Sequence, residues 1–104
     1  MHAQITLRRG SLYLTAALCR RYFDGLESVI LMRRNADLAI LPVRHTAAGG
    51  YLLKLRNSAG DRVVNAMDFF TSNGIDEAGE LVLPVLWSRE IAELIAKNVF
   101  KTAN

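Results

Sequence analysis

Residues 4–15 read QITLRRGSLYLT, and apolar residues alternate with polar ones on both sides of Gly10. A period of two is typical of a strand that buries one face, and a glycine between two such stretches favours a turn. The sequence therefore predicts a β-hairpin with strands at residues 4–9 and 11–15.

The period changes from two to 3.6 directly after this hairpin. Thr15 can cap a helix and Gly25 can end it. The apolar residues of the stretch fall within one arc of a helix, and they are Leu18, Cys19, Tyr22, Phe23 and Leu26. The sequence predicts a short helix with this arc turned toward the core.

The middle of the chain repeats the hairpin pattern. Alternating apolar stretches separated by turn-forming residues predict hairpins at residues 29–43 and 51–64. The stretch 44–50 has no periodicity and predicts a loop, the main joint within a single domain of residues 1–104. Asn65 can cap a second short helix.

A strand and a helix are predicted to complete the chain. Leu81, Leu83 and Val85 alternate as in a strand, and Ser88 can cap a helix. The stripe of that C-terminal helix consists of Ile91, Leu94, Ile95 and Val99. The predicted class is α+β: a small, mostly antiparallel β domain of hairpins, with a short helix after the first hairpin and a C-terminal helix.

These elements together predict which side chains form the core. Each predicted core residue is apolar and lies on the face of its strand or helix where apolar residues recur with the period of that element. The predicted core consists of Leu7, Leu12, Leu14, Leu18, Phe23, Val29, Leu31, Ile40, Leu53, Phe69, Leu83, Trp87, Ile91 and Ile95.

Length and composition limit the kinds of protein to which this chain can belong. The chain has 104 residues, of which 51% are hydrophobic and 22% charged, which is typical of one globular domain. No apolar run approaches the roughly 20 residues that a membrane helix needs, and no signal peptide is recognisable. We expect a cytoplasmic protein without a membrane partner.

Few residues suit catalysis or metal binding. Cys19 is the only cysteine, and His2 and His45 are the only histidines, too few soft ligands for a zinc cluster. No phosphate-binding loop, dinucleotide motif or nucleophile motif is present. The sequence therefore predicts no cofactor and no metal, and it leans away from an enzyme.

Positive charge is concentrated in the first part of the chain. Residues 1–62 carry ten Lys and Arg against four acidic residues, and residues 63–104 carry three against six. Arginine pairs stand at Arg8-Arg9, Arg20-Arg21 and Arg33-Arg34. They either converge on one basic surface or are simply solvated at the ends of their elements.

The order of elements over residues 4–43 resembles that of the AbrB/MraZ swapped-hairpin family. The resemblance lies in RGSLYL at residues 9–14, followed by LCR at residues 18–20. A fainter copy of the glycine and leucine pattern begins at Gly79. The family fold is an intertwined β-barrel of two copies whose basic hairpins touch DNA.

The resemblance and the charge distribution together imply a function. We expect a small, non-enzymatic, transcription-regulator-like DNA-binding domain that forms a homodimer, with its acidic half turned away from DNA. The expected phosphate contacts are Arg8, Arg9, Arg20 and Arg21.

The alternative is a protein-interaction or assembly module that binds no nucleic acid. Its anchors would be exposed apolar side chains, namely Tyr51, Trp87 and Phe100.

Overall fold

The computed structural model describes residues 3–45, 50–75 and 79–100. Within these ranges the chain forms nine strands and two short helices. In chain order they are β1 (Ala3–Arg8), β2 (Ser11–Leu14), α1 (Ala16–Tyr22), β3 (Ser28–Arg34), β4 (Asp37–Val43), β5 (Tyr51–Leu52), β6 (Lys54–Leu55), β7 (Arg62–Asn65), α2 (Met67–Ser72), β8 (Glu80–Ser88) and β9 (Glu93–Ala96).

The strands form a single antiparallel sheet that nearly closes into a barrel. Its order is β5-β3-β4-β9-β8-β1-β2-β7-β6. The two end strands, β5 and β6, are consecutive pieces of one extended segment, separated only by Leu53. Because β5 pairs with β3 and β6 pairs with β7, this segment joins the two edges of the sheet. Closure of this kind removes exposed strand edges.

The first hairpin is present and turns at Arg9 and Gly10. Both residues have positive φ, 51° and 76°, as a two-residue type I′ turn requires. Gly10 is also needed for space, because a Cβ there would lie 2.5 Å from the Cα of Met67. The backbone N–H of Ala66 donates to the Gly10 carbonyl at 2.9 Å. The hairpin turn is therefore fixed against the start of α2.

The predicted cap of α1 is confirmed. The Leu18 backbone N–H donates to the Thr15 hydroxyl at 3.2 Å. A second acceptor comes from the distant loop before β7, where an Asp61 carboxylate oxygen accepts the Ala16 N–H at 2.8 Å. These two bonds satisfy donors that a helix start otherwise leaves unpaired.

The predicted α+β class with a C-terminal helix is wrong. After Ser88 the chain makes a short turn and returns as β9, which pairs with β8 on one side and β4 on the other. The described residues are mostly strand, and their two helices are only seven and six residues long. Neither helix has the length and apolar character needed to cross a membrane.

The core fills the interior of the barrel. Most of the predicted core residues are buried, but Ile91 is 49% exposed in the β8–β9 turn, and Phe69, Trp87 and Ile95 are only partly buried. Phe100 is 1% exposed and packs with the two phenylalanines of α2 at one end of the barrel. The predicted joint at 44–50 falls partly outside the described residues.

Candidate nucleic-acid interface

Tyr13 is the centre of a cluster of positively charged side chains. It lies on β2 between the buried residues Leu12 and Leu14, so its ring points out of the barrel. The guanidinium carbons of Arg8 and Arg56 lie 4.8 and 4.9 Å from the centre of this ring. Both distances are within the range of a cation–π contact.

The sheet register explains why two arginines reach one ring. Arg8 ends β1 and pairs with Ser11, two residues before Tyr13. Arg56 follows β6, and its backbone N–H donates to the Asp61 carbonyl at 2.7 Å. Arg8 and Arg56 therefore approach Tyr13 from two different elements, and the cluster depends on the pairing of β2 with β1 on one side and with β7 on the other.

Among the described residues, Arg8 forms an ion pair with Glu80. Its guanidinium lies 3.8 Å from the carboxylate of Glu80, and both side chains are about half exposed, at 47% and 52%. The Tyr13 side chain is the main cause of a raised pKa for Arg8, with a smaller contribution from Glu80. Arg8 is therefore charged at every physiological pH. Its ion pair with Glu80 is long and exposed, so the pair contributes little to the stability of the fold.

Arg20 joins the cluster through Asp61. The charges of Arg56 and Arg20 both act on the Asp61 carboxyl, whose pKa is lowered first by a hydrogen bond from the Asn57 side chain and next by the Ala16 N–H. Arg20 lies in the last turn of α1 and is exposed. Asp61 thus links the start of α1 to the segment that carries Arg56.

Arg21 is separated from this cluster. Its guanidinium lies 5.4 Å from the centre of the Tyr22 ring, and it lines a groove bounded by α1, β1 and β8. Of the predicted residues, Arg8 contacts Tyr13 and Arg9 follows it in the hairpin turn. Arg20 is connected to this group only through the charge of Asp61, and Arg21 lies at a different surface.

We call the first group the basic face and define it by its exposed or half-exposed members. Lys54 belongs to it because it pairs with Val63, which in turn pairs with Tyr13, so all three lie on the outer side of the sheet. The basic face consists of Arg8, Arg9, Tyr13, Arg20, Lys54 and Arg56.

Sequence reasoning missed Lys54, Arg56 and the role of Tyr13. Tyr13 could have been found, because the predicted hairpin already brings β2 beside Arg8. Arg56 could not, because its position depends on the pairing of β7 with β2, which joins two hairpins that lie far apart in the chain.

The acidic half is not wholly separated from the basic face. Strand β8 comes from the acidic half, yet it pairs along its length with β1. This pairing places Glu80 directly opposite Arg8. The basic face therefore has an acidic residue at its border.

The anchors expected for a protein-interaction module are also corrected. Phe100 is buried, Tyr51 packs against the core and donates a hydrogen bond to Asp68 at 3.0 Å, and Trp87 is half buried. The large exposed apolar side chains are instead Leu52, Leu55, Met67, Leu81, Val82, Leu86 and Ile91.

Other candidate chemistry is sparse in the described part of the chain. Burial raises the pKa of the Cys19 thiol, which keeps it protonated and unreactive at neutral pH. Among residues 3–45, 50–75 and 79–100, no three His, Cys, Asp or Glu side chains are grouped to hold a metal ion.

No protein-family model, curated protein or solved structure matches the chain. The resemblance to the AbrB/MraZ family and the expected homodimer therefore stay predictions.

Proposed function

We propose that the protein binds DNA without catalysis, using the basic face to contact phosphates. The observation that carries this proposal is the placement of Arg8 and Arg56 on one half-buried tyrosine ring. Guanidinium groups bind phosphate oxygens with paired N–H donors. Stacking on an aromatic ring orients such groups before a ligand arrives, which lowers the entropic cost of binding.

The charge balance of the surface supports a polyanionic ligand. Five cationic side chains belong to the basic face, whereas Glu80 and Asp61 are the acidic residues shown in contact with its members. The carboxylate of Asp61 is already engaged by the start of α1 and by Asn57. The positive potential that remains attracts phosphates by counterion release.

Arg9 adds an independent argument. It adopts φ 51° in the hairpin turn, a conformation that costs a non-glycine residue about 1 kcal/mol or more. Asn or Gly would fit this turn position better. A strained arginine next to two stacked arginines is consistent with a role for its charge at the surface.

The experiment compares a double variant with a matched control. Arg8→Ala with Arg56→Ala should weaken binding of a labelled DNA about tenfold or more in fluorescence anisotropy, because two phosphate contacts are lost. Arg89→Ala is the control: Arg89 is exposed and follows the end of β8 opposite to Glu80, the residue that pairs with Arg8. Equal affinities of wild type, double variant and control would contradict the proposal.

The alternative is a protein-binding module, and one observation favours it. Leu86 and Ile91, which are 62% and 49% exposed, line a second groove of about 370 Å³ together with Ile95 and Arg34. If the folded protein binds no DNA at low salt, this groove becomes the leading candidate, and Leu86→Ser should abolish capture of its partner.

A further inference from the structure

An aromatic pair lines the groove in which Arg21 lies. The rings of Tyr22 and Trp87 are stacked, with centres 4.7 Å apart and planes inclined by 16°. The groove is open, has a volume of about 390 Å³, and is bounded on its other sides by Gln4 and Thr15. The two rings cover one face of each other, so the groove combines a pair of aromatic side chains with the cationic group of Arg21.

This groove adjoins the basic face along two strands. On β1, Gln4, Thr6 and Arg8 lie on the outer side, alternating with the buried Ile5 and Leu7. Gln4 lines the groove and Arg8 belongs to the basic face. The two residues are about 13 Å apart along the strand at its usual rise per residue.

Strand β2 gives the same connection by a shorter path. Tyr13 of the basic face precedes Thr15 of the groove by two residues. A chain of phosphates that follows the outer side of these strands would pass from one surface to the other within a few nucleotides.

We propose that the ligand is a single-stranded nucleic acid, with one unpaired base held in the groove against Tyr22 and Trp87 and its phosphate held by Arg21. This inference rests on the proposed function, and it selects the form of nucleic acid. A base has a flat π face that stacks on aromatic side chains whatever its identity. In a duplex, bases are paired and stacked inside the helix, so a groove beside a phosphate-binding surface cannot receive them.

The charge of the groove agrees with this occupant. Arg21 is exposed, and no ion pair to an acidic side chain is shown for it within the described ranges. The groove lining contains no acidic residue. An apolar peptide would leave the guanidinium without a counterion, whereas a nucleotide supplies both an aromatic ring and an anion.

Trp87 is the only tryptophan of the chain, so its fluorescence reports on the groove directly. The experiment titrates the full chain with a mixed-sequence single-stranded 12-mer, as DNA and as RNA, and with the DNA duplex of the same sequence. Tryptophan emission is followed together with the anisotropy of a label on the nucleic acid. We expect at least one single strand to quench the emission of Trp87, with the same midpoint as in its anisotropy curve. That strand should bind about tenfold tighter than the duplex.

Two variants test the contacts separately. Arg21→Ala should weaken single-strand binding and lower its logarithmic salt slope by about 0.7, the value for one phosphate contact. Trp87→Ala should weaken it at least fivefold, as loss of one base–aromatic stack does. Because Trp87 also packs against the core, Trp87→Phe is measured beside it and should restore most of the affinity.

The outcomes separate this inference from the proposed function. Duplex binding that equals or exceeds single-strand binding, with unchanged Trp87 emission and full affinity in Arg21→Ala, would overturn the inference and leave the basic face as a DNA-binding surface. No binding of any of the three nucleic acids would overturn both.

Discussion

At Arg9, substitutions can separate the effect of backbone strain on stability from the effect of charge on DNA binding. Its φ of 51° is costly for arginine and cheap for asparagine. We expect Arg9→Asn to stabilise the fold by about 1 kcal/mol, measured by urea unfolding, and to weaken DNA binding.

The control for this substitution is Arg9→Ala. It removes the same charge but keeps a Cβ residue without asparagine's tolerance for positive φ, so it should weaken binding without adding stability. Equal stability of Arg9→Asn and Arg9→Ala would contradict the strain argument.

Asp61 makes the stability of the fold depend on pH. Its folded pKa lies below the usual value because Asn57 and the Ala16 N–H donate hydrogen bonds to the ionised carboxylate. The pKa of Asp37 is lowered in the same direction by the Asn98 N–H and Lys97. At low pH the unfolded state therefore binds more protons, and this stabilisation, present above about pH 4, is lost as pH falls through the folded pKa values.

The expected result is a urea midpoint that falls as the pH is lowered from about 5 to 3. Asp61→Asn keeps an acceptor for the Ala16 N–H but does not titrate, so its midpoint should fall less. Asp37→Asn tests the second site in the same way. Parallel curves for wild type and both variants would show that neither carboxylate is responsible.

At the scale of elements, the segment after Ser88 is where local pattern and structure disagree most. Residues 89–100 read REIAELIAKNVF, rich in residues with high helix propensity. Strands β8 and β4 would each present an unpaired edge without β9, and the segment forms backbone hydrogen bonds with both. Pairing two edges outweighs a propensity difference of a few tenths of a kcal/mol per residue.

A matched pair of substitutions tests this strand. Ile91 is 49% exposed and Leu94 is 0% exposed, although a helix would place both on its apolar stripe. We expect Ile91→Ser to change the free energy of unfolding by less than about 0.5 kcal/mol and Leu94→Ser to lower it by about 3 kcal/mol or more. A similar large loss in both variants would support the helix instead.

Elements whose determinants lie close together in sequence could be predicted. The first hairpin follows from a period of two around Gly10, and α1 follows from the Thr15 cap and the apolar arc behind it. Strand β9 pairs with β4 and strand β5 pairs with β3, which lie far away in the chain, so no local pattern identifies these pairings. The candidate site divides in the same way, since Arg8 and Arg9 are local features and Arg56 reaches Tyr13 through the pairing of β7 with β2.

At the scale of the whole molecule, the order of the strands in the sheet creates the proposed interface. The segment from Tyr51 to Leu55 joins β3 to β7 and delivers Arg56 to the ring of Tyr13. The basic face and the groove beside Trp87 both use the outer side of β1 and the residues that follow β2. The proposed binding surface is therefore continuous, with phosphates bound along it and a base bound at one end.

The most direct test of this account is the salt dependence of binding. The affinity of the wild type for a labelled oligonucleotide is measured by anisotropy at several salt concentrations, beside the Arg8→Ala, Arg56→Ala double variant. The account predicts a steep fall of affinity with salt and a slope about 1.4 to 1.8 smaller in the variant, as expected for two phosphate contacts. Affinity independent of salt, or the same slope in both proteins, would contradict it.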